Sequence, residues 1–140
     1  MADLYRRKEI KMPFPPPPFW KLLGIEVTEM GEGYAKLVMP FDERLTQPYG
    51  LIHGGALFSI ADSAAAVAIG SVVEPERKFV TIEMKINFLL PVKDGIMEAE
   101  ARIIRKGKRI IPVDIDISNK ERLIAKATAT YIILDDDKRL

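Results

Sequence analysis

Only one stretch of this 140-residue chain, about Gly54 to Val72, is long, apolar and free of breakers, and four long alternating runs follow it. "FVTIEMKINFLLP", "GIMEAEARIIRKG", "KRIIPVDIDISNK" and "RLIAKATATYIIL" each have the period of a strand with one buried face. In the second, Met97, Ala99, Ala101 and Ile103 alternate with Ile96, Glu98, Glu100 and Arg102, which makes one face dry and the other wet. Two more strands, "LLGIEVTEM" and "GYAKLVMP", precede the helix and are joined by the turn "GEG". A lone helix and an antiparallel sheet can bury their apolar faces only against each other. The expected class is therefore α+β: one long central helix wrapped by a curved antiparallel sheet of about six strands, in a domain over residues 21–134.

Two flanking segments fall outside that pattern. In "PFPPPPFW" four successive prolines fix φ and remove donors, so neither helix nor central strand is expected there. Residues 1–20 are read as a polyproline II arm whose Phe14, Phe19 and Trp20 pack on the domain, the alternative being a ligand for a proline-recognition module. Residues 135–140 form a polar tail, expected to fray. Within the domain, Pro75 should end the helix by disfavouring helical geometry at Glu74. Pro112 predicts a bulge or an interrupted ladder in the third alternating run.

Charge and cysteine content narrow the function. A net charge of +1 disfavours nucleic acid as a partner. With no cysteine there are no disulfides, zinc thiolates or thiol nucleophile, which fits a cytoplasmic protein. A single histidine, His53, makes a zinc site hard to build, so neither metal nor cofactor is expected. The opening "MADLYRRKEIKMP" lacks the apolar core of an export signal. Gly50 to Val73 approaches the length of a bilayer crossing, but a mid-span Asp62 would cost about 2.5–3.5 kcal/mol there. A buried central helix, and no membrane partner, is the better reading.

The helix carries the chemistry. Gly54 and Gly55 open it, where unpaired N–H groups and the macrodipole suit an anion, including the oxyanion formed when a carbonyl is attacked. Asp62 is the one acid within its apolar run. A buried carboxylate must be hydrogen-bonded, face a cavity or become neutral. It reads either as a structural aspartate bonded to a neighbouring strand or as a nucleophile or general base in a water-poor cleft. Eight residues of helix separate Gly54 from Asp62 by roughly 12 Å, too far for both to reach one reacting carbonyl. Two helices related by a two-fold axis meet the requirement, each glycine end facing the other chain's Asp62. An obligate dimer with two shared sites is expected. His53 is read as ordering the loop or capping backbone, with proton chemistry as the alternative.

The run "QPYGLIHGGALFSIADSAA", followed by "TIEMKINFLLPVKDG" and closed by "RLIAKATATYIIL", resembles the hotdog-fold acyl-CoA thioesterases, in the branch linked to phenylacetate degradation. The likeness covers about Phe19 to Leu134. It implies a hotdog fold, homodimers that often pair into tetramers, and hydrolysis of an acyl-CoA thioester. It also implies that Gly54, helped by Gly55, supplies the oxyanion N–H, and that the partner chain's acid, here Asp62, activates water or attacks directly. Gln47 stands where the family holds water or thioester with Asn or Gln, though Asn is more usual in this branch. Thr81 falls where some members carry Ser or Thr near the acid, and His53 looks like the loop-ordering histidine. The small residues of "AAAVAIG", Ala65 among them, are expected to line an acyl groove that admits an aryl or alkyl group. Arg105, Lys106, Lys108 and Arg109 read either as a solvated turn or as cations for the nucleotide end of coenzyme A. A non-catalytic acyl-CoA sensor or carrier, and a hotdog hydratase, are the rival functions.

Overall fold

The computed structural model describes residues 10–135, so the first nine residues of the arm and the tail beyond Asp135 lie outside the described residues. A short helix, α1 (Pro18–Leu23), opens the domain. Pro18 stands at its start, where the missing N–H has no intrahelical partner to lose, so the proline run ends by beginning a helix, contrary to expectation. Leu22 and Leu23 belong to this helix and not to a strand, and Gly24 closes it in the left-handed region at φ 77°. Trp20 is buried and Phe14 meets it edge-on, with ring centroids 6.0 Å apart. Phe19 is half exposed instead of packed, because neighbouring residues on a helix point about 100° apart and Trp20 takes the inward direction.

Six strands follow in chain order: β1 (Glu26–Gly31), β2 (Tyr34–Pro40), β3 (Phe79–Phe88), β4 (Ile96–Ile103), β5 (Ile110–Asn119) and β6 (Arg122–Ile133). They form one antiparallel sheet in the order β1-β2-β4-β5-β6-β3. The alternation read in β4 holds, with Met97, Ala99 and Ala101 fully buried. Pro112 does not interrupt its ladder with β6; the bulge in β5 lies between Ile117 and Ser118. The Pro112 carbonyl accepts from Ile104 on the β4 side, so its ring nitrogen also faces that side, just beyond the last paired residue of β4.

The central helix α2 (Gly54–Gly70) connects β2 to β3 across the sheet and packs mainly on β4, β2 and β5. It stops two residues short of Val72, where the Ser71 hydroxyl donates to the Ala68 carbonyl and accepts from the Gly33 N–H. Ala61, Ala64, Ala65 and Ala68 are fully buried in one core with Leu37, Met97 and Ile115. Their small side chains let the sheet wrap the helix closely. One stripe stays partly open: Gly55, Phe58, Asp62, Ala66 and Gly70, at spacings of three and four. Asp62 stands on the one line that the sheet leaves uncovered. No helix among the described residues is long and apolar enough to cross a membrane.

Candidate active site

Asp62 is fixed from the sheet. Thr81 on β3 and Tyr131 on β6 are cross-strand partners, so their side chains share a face, and both reach the same carboxylate oxygen. The Thr81 hydroxyl donates to Oδ1 at 2.7 Å and the Tyr131 hydroxyl donates to it at 2.5 Å, lying also 2.8 Å from the Asp62 carbonyl. Oδ2 has no hydrogen-bond partner among the described residues. A bulge between Thr81 and Glu83 re-aims the edge strand just beyond this contact. Burial, and then the negative charge of Asp62, push the Tyr131 phenol well above its ordinary pKa, so it stays a donor. Asp62, Thr81 and Tyr131 line a cavity of about 810 Å³, with Ala66 and Gly70 continuing along the helix. One carboxylate oxygen is thus anchored and the other is left without a protein partner among the described residues.

The start of α2 is built differently. His53 is the N-cap, and its Nδ1 accepts from the Gly55 N–H at 2.7 Å. The Gly55 N–H is therefore already engaged, whereas nothing among the described residues accepts from the Gly54 N–H. A Cβ at Gly54 would lie 2.9 Å from the Phe88 ring, which explains the glycine. Gln47 joins this end. Its side-chain oxygen accepts from the N–H groups of Tyr49 and Leu51, which need an acceptor, so its NH₂ is left to donate outward. Gln47, Gly54 and Phe88 line a separate cavity of about 470 Å³. Within one chain, the donors and the carboxylate occupy two different cavities.

The sequence pattern that defines the Thioesterase superfamily matches residues 49–126. This chain belongs to the thioesterase superfamily. A protein of Saccharolobus solfataricus named as an esterase is 38% identical over 115 residues, covering 81% of this chain and 76% of its own. The 1,4-dihydroxy-2-naphthoyl-CoA hydrolase of Escherichia coli is 32% identical over 113 residues, covering 80% of this chain and 83% of that enzyme. Among solved structures, the Escherichia coli PaaI protein from the phenylacetic acid degradation operon superposes with a TM-score of 0.79 at 30% identity, covering 85% of this chain and 86% of that one. The helix wrapped by six antiparallel strands is the hotdog fold that the motifs implied.

One expectation about this thioesterase needs correction. Ala65 is fully buried in the core and does not line the Asp62 cavity; Ala66, the next residue and about 100° round the helix, does. The basic turn, read either as solvated or as cations for coenzyme A, lines neither of these two cavities of the chain. Arg105, Lys106, Lys108 and Arg109 are exposed between β4 and β5, and Lys106 lines a different hollow with Gly70 and Ser71, at the far end of α2 from Gly54. Arg109 pairs with Asp135 at 3.7 Å. The thioesterase's Tyr131 was missed by the sequence reading, although a signal existed. It sits in the dry register of β6, where Ala125, Ala127, Ala129 and Ile133 are buried, and a phenol in such a register needs a partner for its hydroxyl.

Proposed function

We propose that this thioesterase hydrolyses acyl-CoA thioesters at two equivalent sites, each made of Asp62 from one chain and Gly54 from a second copy. The observation that carries this reading is the division of Asp62: Thr81 and Tyr131 hold Oδ1, and Oδ2 is left free in a cavity. Oδ2 either takes a proton from water as that water adds to the thioester carbonyl, or adds to the carbonyl itself. In both routes negative charge develops on the carbonyl oxygen, and the partner's Gly54 N–H at the positive end of its helix receives it. Collapse breaks the carbon–sulfur bond. In the first route the proton taken up by Asp62 passes to the departing thiolate, leaving free acid and coenzyme A. In the second an acyl–Asp62 anhydride remains, which water hydrolyses to the free acid and the Asp62 carboxylate. The proton released in that step balances the one the thiolate takes from solvent. The NH₂ of Gln47 supplies a further donor beside Gly54.

A second copy is needed because one helix keeps its two ends apart. Support for it comes from β3, which is an edge strand ten residues long with an open hydrogen-bonding side. Val80, Ile82, Phe88 and Phe58 are exposed near it, Ile82 at 53% and Phe88 at 54%. Pairing two such edges would bury that apolar surface and bring the uncovered helix stripes together.

The cap at His53 speaks against a hydratase that uses imidazole as base. With Nδ1 accepting from Gly55, the neutral ring carries its proton on Nε2 and has no free acceptor. A panel of acyl-CoAs assayed for free thiol tests the reading. Thiol release is expected; binding without release would favour a sensor, and hydration of an enoyl-CoA without release would favour a hydratase.

A further inference from the structure

The Asp62 cavity has a floor and an end. Asp62, Ala66 and Gly70 form its floor at intervals of four residues, and the last two are small enough to leave it open. At the Gly70 end, Pro13, Phe14 and Pro17 of the N-terminal arm close over it. The arm is seated firmly. Phe14 wedges edge-on between Trp20 and Phe79, with ring centroids 6.0 and 6.4 Å away, and Phe79 in turn meets Tyr131 at 6.0 Å. Gly70 makes room for the arm, since a Cβ there would lie 2.6 Å from Pro13. The eight residues from Asp62 to Gly70 put this wall roughly 12 Å along the helix from the carboxylate.

We infer that the arm residues Pro13, Phe14 and Pro17 form the far wall of the acyl pocket and set the length of acyl chain the thioesterase accepts. The inference rests on the reading of Asp62 as the centre of acyl-CoA hydrolysis. A short acyl group held at Asp62 stays well clear of the arm. A long alkyl chain running along Ala66 and Gly70 meets Phe14 and must displace it. The arm lies outside the segment that defines the superfamily, so it is a part of the pocket that can differ while the catalytic groups stay the same.

The test compares kcat/KM for hexanoyl-CoA and dodecanoyl-CoA in wild type, Phe14→Ala and Phe14→Leu. Phe14→Ala removes the wall. Phe14→Leu shortens it while keeping an apolar side chain between Trp20 and Phe79, so a fold defect in Phe14→Ala leaves the second variant to decide. The expected result is a rise in the dodecanoyl-to-hexanoyl ratio of at least tenfold in Phe14→Ala where it folds, and of at least threefold in Phe14→Leu. A ratio within twofold of wild type in the folded variants, with wild type active, overturns the inference and leaves the proposed hydrolysis standing. Wild type that releases thiol from neither substrate, nor from any other acyl-CoA, removes the proposed function itself.

Discussion

At the Gly54 end of α2 the group left without a partner is a backbone N–H, and the surrounding side chains are devoted to holding a loop. At Asp62, two turns further along, it is a side-chain oxygen, and its neighbours are devoted to holding the other oxygen. His53 and Gln47 each turn an acceptor inward onto neighbouring N–H groups. Thr81 and Tyr131 each turn a donor inward onto Oδ1. Each end arrives ordered and chemically incomplete: one offers only donors, the other an acceptor with a free lone-pair face. The difference is what the proposal of a shared site rests on: the donors that one end has are those that the other end lacks.

The largest effect should come from the acceptor end. Asp62→Asn keeps the shape but loses the base or nucleophile, and kcat should fall by about 10²–10⁴-fold while circular dichroism and assembly size stay as in wild type. The donor end should follow with Gly54→Pro. His53 already has φ −72° and ψ 136°, as a residue before proline requires, and proline fits the first position of a helix. This variant deletes the N–H and should lower kcat by about 10²–10³-fold. Gly54→Ala, which displaces Phe88 in the same way but keeps the N–H, is the control and should retain most of the activity.

Tyr131→Phe sharpens the comparison by removing one of two anchors. The ring still fills its place, so KM should change little while kcat drops by about 10- to 150-fold, in keeping with about 1.5–3 kcal/mol for a hydrogen bond to a charged group. The smallest effects separate the two ends by pH. Tyr131, with its folded pKa raised above 10.0 by burial and by Asp62, contributes stability that is complete below pH 10.0 and lost as pH rises further. Alkaline titration of phenolate absorbance should show it ionising only as the chain unfolds. At the other end Asp42 caps the turn Glu43–Leu45, whose Leu45 carbonyl accepts from His53. Hydrogen bonds from Arg44 hold its carboxyl down to about 2, below the usual 3.8, so its small contribution is present above pH 3.8 and fades as pH falls toward 2. Protection factors for the amides of residues 42–53, with the intrinsic pH dependence of exchange divided out, should fall over that acid range and not over the alkaline one.

Much of this was legible in the residues. The period-two runs and the single breaker-free helix left one arrangement that buries both faces, and β4 shows the alternation as written. What the residues could not show is direction around the helix at single-residue precision. Ala65 and Ala66 differ by one step, and only the contacts with the sheet decide which faces the cavity. Tyr131 is 69 residues from Asp62 in sequence, and no local pattern pairs them; register between β3 and β6 does. Pro18 departs from expectation because helix termini tolerate what helix interiors do not.

Mixed assemblies test the central claim most directly. Asp62→Asn and Gly54→Pro chains, each nearly inactive alone, are to be dissociated together in equal amounts and allowed to reassociate. In the assemblies containing one of each, one site combines an intact Asp62 with an intact Gly54, so the mixture should recover about a quarter of wild-type activity. Activity no greater than the sum of the two separate variants would mean that donor and carboxylate act within a single chain, and the shared site would have to be abandoned.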